Sequence, residues 1–363
     1  MALVRPEFDN LPEYQAGRAG GPLEAASSGI TLLASNESPW PPPKAVISAM
    51  DTVLQWLNRY PSMTNDALRQ ELAGWHGTGV ANLVVGCGGV EIGRLAGSVV
   101  LAPGKKAVFG VPSFPEYEIL TRLCGGAPAT VPLTELTYDL DAIAQAIDSD
   151  TKLAIICNPN NPTGTGVGYT SMRRFLGAVP SECLVLVDEA YWEYSGGELG
   201  DSAITMVDDF PNLVVLRTFS KAFGLAGIRV GYGVASEAVA RAMRKVQLPF
   251  SVNLVAEAAA IAAIRGSAQM EQRAAQVRSE RERVRTSLLA LGLRIPVSHA
   301  NFIFIEGDNG LTLARACEAN QVTVRLSGSL GSRITIGTVD ENEQLLAIAA
   351  HAMTKPPANS VSK

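Results

Sequence analysis

The feature that most constrains this chain is a succession of short, β-branched apolar runs separated by helical stretches between residues 82 and 235. The runs are Asn82–Gly86, Lys106–Gly110, Ala129–Leu133, Lys152–Cys157, Cys183–Asp188, Asn212–Leu216 and Ile228–Tyr232. They are continuously apolar rather than alternating, which suits strands covered on both faces, and the helical intervals supply that cover. The pattern predicts an α/β fold built on a mostly parallel seven-stranded sheet. In such a sheet, ligands bind where the chain leaves the C-terminal ends of the strands.

Beyond the sheet, the Ala-rich Leu254–Ile264 reads as a buried helix, and Gln269–Leu291 as a long connecting helix. Val277, Val284, Leu288 and Leu291 form its apolar stripe, and Arg278 is placed to pair with Glu282 at i,i+4. Asn301–Glu306, the helix Leu311–Ala319, Val322–Arg325 and Arg333–Gly337 then predict a small α+β unit. The expected division is an N-terminal arm at 1–29, a small domain from 30–48 and 256–363, and a large domain at 49–255. The last residues, Lys355–Lys363, read as a loose tail.

Bulk properties exclude several functions. At 363 residues the chain exceeds what one core usually serves, so two domains are expected. A net charge of −5, with no block of Lys and Arg, offers nothing for nucleic acid to bind. Five scattered cysteines without CxxC spacing suggest neither a disulfide framework nor a metal site, and they fit a reducing cytoplasm. No leader pattern opens the sequence, and no apolar run approaches the ~20 residues needed to span a bilayer.

Chemistry concentrates at the strand ends. Lys221, in Arg217-Thr-Phe-Ser-Lys-Ala-Phe-Gly-Leu-Ala-Gly-Ile-Arg229, follows a buried strand and precedes a Gly-rich turn. Its amine can form an imine with an aldehyde, while Thr218, Ser220 and Arg229 can clamp a nearby phosphate. Taken alone, a lysine solvated at a strand end is the simpler reading. Gly86-Cys-Gly-Gly-Val-Glu-Ile92 lets backbone amides and a helix N-terminus approach a phosphate, although a plain tight turn has the same sequence. Phe114 sits in a turn where it can stack on a planar ring or merely pack. Asn158-Pro-Asn-Asn-Pro-Thr-Gly164 restrains its backbone and presents Asn161 as a donor, and Asp188 in Asp188-Glu-Ala-Tyr191 is a carboxylate whose burial calls for a cation opposite.

In this order, and with the late Arg333-Ile-Thr-Ile-Gly-Thr338, the motifs resemble the fold type I pyridoxal-phosphate aminotransferases. More narrowly, the chain is similar to the histidinol-phosphate aminotransferase branch and its actinobacterial aromatic (phenylalanine) members. The likeness runs from Arg5-Pro-Glu-Phe-Asp-Asn-Leu-Pro-Glu-Tyr14, through Leu33-Ala-Ser-Asn-Glu-Ser-Pro39 and Asn58-Arg-Tyr-Pro61, to Thr338. The resemblance implies that Lys221 holds pyridoxal phosphate as a Schiff base and moves protons for transamination. Asp188 would pair with the pyridinium nitrogen, Asn161 and Tyr191 with the phenolic oxygen, and Phe114 would stack on the ring. The amides of Gly88, Gly89 and Val90, with Thr218, Ser220, Arg229 and a partner subunit's Tyr60, would take the phosphate.

Arg333 would grip the substrate carboxylate as a fork, with Tyr14, Asn36 and Arg325 completing the substrate site. The implied protein is a homodimeric, cytoplasmic, ping-pong enzyme acting on an L-amino acid, aromatic favoured, and 2-oxoglutarate. Histidinol phosphate is the alternative donor, and amino-acid decarboxylation the lesser alternative reaction. A ligand-sensing regulator would carry a DNA-binding module ahead of this domain, and no helix-turn-helix pattern precedes it. Gly89 stands where the family often has serine, and the loop Leu326-Ser-Gly-Ser-Leu-Gly-Ser332 lacks its usual proline and aromatic. His76, His299 and His351 fall outside every motif.

Overall fold

The computed structural model describes residues 11–13 and 29–354. Apart from 11–13 and 29, the expected N-terminal arm with Tyr14 lies outside them, as does the tail Lys355–Lys363. In chain order come β1 (Thr31–Leu32), α1 (Lys44–Val53), α2 (Asp66–His76), β2 (Leu83–Gly86), α3 (Gly88–Val100), β3 (Lys106–Val111) and α4 (Glu116–Leu123). β4 (Ala127–Pro132), α5 (Leu140–Gln145), β5 (Thr151–Cys157), α6 (Tyr169–Ala178), β6 (Leu184–Asp188), β7 (Leu213–Thr218) and β8 (Gly231–Ala235) complete the central sheet and its cover. The chain continues through α7 (Glu237–Val246), α8 (Leu254–Arg265), α9 (Ser267–Ala290), β9 (Phe302–Glu306) and α10 (Gly307–Ala319). β10 (Val322–Thr323), β11 (Arg325–Leu326), β12 (Gly331–Thr335) and α11 (Val339–Thr354) close it.

The seven-stranded sheet has the order β2-β8-β7-β6-β5-β3-β4, and every neighbouring pair is parallel except the two that involve β8. Because β8 is antiparallel to both its neighbours, β2 still points the same way as β7. The C-terminal ends of β2, β3, β5, β6 and β7 therefore open on one edge, and each is followed by one of the motifs. Every residue of β2, β6, β7 and β8 is buried, as continuous apolar runs require of strands covered on both faces.

Two expectations about local structure change. The strand expected at Ile228–Tyr232 starts later, at Gly231: Ala226–Ile228 forms a 3-10 turn and Arg229 takes a left-handed backbone with φ 61°. Along α9, Glu282 bonds to Arg281 rather than Arg278, whose guanidinium reaches the Glu193 carbonyl at 3.2 Å. Arg281 itself is buried in the stripe between Val277 and Val284, donating to the Ala300 carbonyl at 2.9 Å.

A three-stranded antiparallel sheet, β11-β12-β9, forms the C-terminal α+β unit with α10. β1 pairs with β10, and Thr335 N–H bonds to the Leu33 carbonyl, so residues 31–36 run along this sheet before reaching the large one. α1 passes unbroken through residues 48 and 49, the expected domain border, and packs on α8. Asn253 caps α8 by accepting from Ala256 N–H at 2.8 Å. Among the described residues, no helix is long and apolar enough to cross a membrane.

Candidate active site

The strand ends and the C-terminal sheet enclose a cavity of about 1040 Å³, with Lys221, Asp188, Asn161, Tyr191, Arg229 and Arg333 all on its wall. Lys221 lies three residues past β7, where Phe219 N–H bonds to the Val230 carbonyl and Gly224, at φ +70°, closes the turn onto Lys221. Its Nζ donates to the Ser35 carbonyl at 2.9 Å and stands 5.8 Å from the Tyr191 ring centre. Loss of hydration lowers its pKa from 10.5 to about 7; the Arg333 charge adds to this, and Glu37 opposes it. Near neutral pH the amine is therefore available as a base or nucleophile.

Asp188, the last residue of β6, is buried on the cavity wall. Burial raises its pKa, against the hydrogen bonds from the Tyr117 hydroxyl and the Ala190 amide. Among the described residues no cationic side chain forms an ion pair with it. A buried, unpaired carboxylate beside a lysine is what a protonated pyridine nitrogen would complete, so the donor set fits the cofactor implied by the motifs. Phe114 is also on the wall, edge-on to Tyr117 with ring centres 5.7 Å apart and an interplanar angle of 87°.

A phosphate-sized cradle lies at the other end. Thr218 Oγ1 donates to Ser220 Oγ at 3.0 Å, and Arg229 Nη1 reaches the same oxygen at 3.4 Å. The left-handed turn at Arg229 aims its guanidinium at Gly88, where an added β-carbon would stand 2.5 Å from Nη2. Gly88, at φ +79°, opens α3, and Gly89 and Val90 line the cavity just inside the helix N-terminus. Gly231 lets β8 pass close beneath, since a β-carbon there would lie 2.7 Å from the Gly89 nitrogen. The backbone N–H of Cys87 is already taken by the Glu91 carboxylate.

Arg333 projects from β12. Its Nη1 donates to Asn161 Oδ1 and its Nη2 to the Ala34 carbonyl, both at 2.5 Å, with the guanidinium 5.4 Å from the Phe302 ring centre. Asn161 thus meets Arg333 through its oxygen, which leaves its Nδ2 as the donor the sequence suggested. Both Asn-Pro bonds of its loop, Asn158–Pro159 and Asn161–Pro162, are cis. Arg325 faces Arg333 across the β11–β12 pair and also lines the cavity.

Of the remaining expected site residues, two lie off this cavity wall, Tyr60 having been expected at the partner subunit's site, and the third is not among the described residues. Asn36 is buried off the cavity wall, and its Nδ2 donates to the Tyr191 hydroxyl at 3.0 Å. Tyr60 is 82% exposed, outside this cavity, and stacks on Phe250 at 4.8 Å. Tyr14 lies outside the described residues. The sequence reading missed Tyr117, whose hydroxyl donates to Asp188 Oδ2 at 2.7 Å, and Glu116, whose carboxylate holds Arg94 on the cavity wall at 2.6 Å. Spacing could have flagged Tyr117, one helical turn beyond Phe114. Of the histidines, His76 bonds to the Tyr232 hydroxyl and His299 pairs with Glu198.

Comparisons with known proteins show the family. The family model "Aminotransferase class I and II" matches residues 28–348, and the chain belongs to that family. The aromatic amino acid aminotransferase of Nocardia farcinica (strain IFM 10152) is 40% identical over 354 residues, covering 96% of this chain and 97% of the relative. That of Streptomyces coelicolor is 38% identical over 348 residues, covering 95% and 96%. The crystal structure of histidinol-phosphate aminotransferase from Sinorhizobium meliloti, in complex with pyridoxal-5'-phosphate, superposes with a TM-score of 0.89 at 26% identity, covering 97% of this chain and 98% of that one. The α/β architecture is thus that of the fold type I aminotransferases, as the motifs implied.

Proposed function

We propose that this aminotransferase moves the amino group of an L-aromatic amino acid to 2-oxoglutarate by a ping-pong route. The observation that carries the reading is the meeting of Lys221, Asp188, the Arg229 cradle and Arg333 on one cavity wall. The names of the relatives at about 40% identity support the aromatic substrate. Pyridoxal phosphate is the cofactor: when bound, it supplies an aldehyde that condenses with amines and a ring that takes up the electron pair of the substrate α-carbon.

The residues divide the work. Arg229, Ser220, Thr218 and the α3 amides bind phosphate, Asp188 keeps the ring nitrogen protonated, and Phe114 holds the ring plane. The Arg333 fork binds the substrate carboxylate and keeps it in place, which favours transfer over decarboxylation. Lys221, whose amine would carry the cofactor aldehyde and is poised near neutral pH, would hold and move the proton of the substrate α-carbon. Asn161 joins the two halves by touching Arg333 while facing the ring site. Leu326 and Leu330 give the substrate side-chain end an apolar wall beside Arg325.

The enzyme works as a homodimer in this reading, with Tyr60 serving the partner's cradle. Support comes from the exposed apolar side chains of Trp56, Leu57, Tyr60, Met63, Leu248 and Phe250, of which Tyr60 and Phe250 stack on each other. The test is a donor panel with 2-oxoglutarate, comparing phenylalanine, tyrosine, leucine and histidinol phosphate by kcat/KM. Phenylalanine or tyrosine should lead. A lead by histidinol phosphate would overturn the substrate reading, and carbon dioxide release without keto acid would overturn the reaction.

A further inference from the structure

Tyr117 is a buried phenol with a position no motif assigned. It lies in the first turn of α4, its amide bonded to the Phe114 carbonyl at 3.1 Å. Around it stand Phe114 edge-on at 5.7 Å, Phe109 at 6.0 Å, the thiol of Cys157, which neighbours Asp188 across β5 and β6, and Asp188, whose Oδ2 accepts its hydroxyl proton at 2.7 Å. The other carboxylate oxygen, Oδ1, accepts from the Ala190 amide at 3.0 Å. Each oxygen of Asp188 therefore has one donor, and the two together fix the plane of the group.

Building on the function proposed above, we propose that Tyr117 is a positioning residue that tunes the cofactor. Its hydroxyl holds the Asp188 carboxylate ionised and oriented toward the ring nitrogen, while its ring edge sets the tilt of Phe114. The stacking residue and the carboxylate, which approach the ring from different directions, are thereby tied through one side chain. Burial, and next the Asp188 charge, hold the phenol protonated far above neutral pH, so it remains a donor throughout the working range. A hydrogen bond to a charged acceptor has about twice the strength of a neutral one, so its loss is felt where the carboxylate has only one other donor.

The test is Tyr117→Phe, which keeps the aromatic edge and removes the donor, read in the holoenzyme by cofactor affinity and by the pH titration of its visible absorbance. Without this donor Asp188 is more basic and draws the proton away from the ring nitrogen. The ring withdraws fewer electrons, the Lys221 linkage becomes more basic, and the titration midpoint moves up. Cofactor Kd should rise about tenfold, the equivalent of ~1.4 kcal/mol, and kcat should fall with little change in KM. Site-specific 2,3-difluorotyrosine at 117 strengthens the donor and should move the midpoint down, which also serves if Tyr117→Phe folds poorly. Asp188→Asn separates the two readings. If it disrupts both readouts while the Tyr117 variants match wild type, this inference alone is overturned; if it too is silent, the proposed cofactor arrangement fails with it.

Discussion

Gly88→Ala is a demanding test of the phosphate cradle. Residue 88 has φ +79°, a backbone that costs a non-glycine residue about 1–2 kcal/mol. The added methyl would also stand 2.5 Å from Arg229 Nη2, so the guanidinium must leave its place above the helix N-terminus. The backbone cost appears in the stability of the cofactor-free protein. The displacement appears in binding: one charge-assisted hydrogen bond to phosphate, about 1.5–3 kcal/mol, is lost. Cofactor Kd, measured by fluorescence titration, should therefore rise roughly 10–100-fold. Gly89→Ala is the control, because its β-carbon would meet only the mobile end of Leu216, 2.9 Å away at Cδ2, which can turn aside. A Gly88→Ala protein with Kd within about twofold of wild type, or a Gly89→Ala protein weakened as much, would refute the assignment of Arg229 and Gly88 to one cradle.

Other predictions follow from buried charge and its partners. Lys221 has a folded-state pKa of about 7 against an ordinary 10.5, so the unfolded chain binds more protons between those values, and stability of the cofactor-free protein should rise with pH across that window. Urea denaturation of Lys221→Met should show that component of the rise gone. Arg333→Met removes the charge that depresses Lys221 most after burial, so the midpoint for cofactor capture by the cofactor-free protein, followed by stopped-flow absorbance, should move above about 7. Arg217 is buried between Glu189 at 2.9 Å and Glu193 at 2.6 Å, and Arg217→Met would leave both carboxylates unpaired, a loss of about 3–5 kcal/mol in urea denaturation. Asn36→Ala should alter the pH titration of the bound cofactor through Tyr191 while leaving KM for the amino acid nearly unchanged.

The strands were legible in the sequence because a covered parallel strand must be apolar throughout, a local and redundant signal. The start of the last strand misled for the same reason: Ile228–Val230 carries β-branched residues, but the chain turns through a left-handed Arg229 before pairing begins at Gly231. Helix spacing placed Arg278 beside Glu282, but the Glu193 carbonyl, a tertiary partner, holds Arg278, and the adjacent Arg281 takes Glu282. Lys221, Asp188, Asn161 and Arg333 were legible because each sits in a motif of unusual composition. The partners of Tyr117 and Asn36 were not, since the contacts to Asp188 and Tyr191 span 71 and 155 residues, although spacing from Phe114 could have flagged Tyr117 itself.

The central claim is that Lys221 is the amine that carries the cofactor. Borohydride reduction of the holoenzyme, followed by proteolysis and mass spectrometry, tests it most directly, because reduction makes the lysine linkage permanent. One pyridoxyl group per chain is expected, on the peptide that contains Lys221, and none in Lys221→Ala. A pyridoxyl group on another lysine, or an unchanged yield in Lys221→Ala, would contradict it.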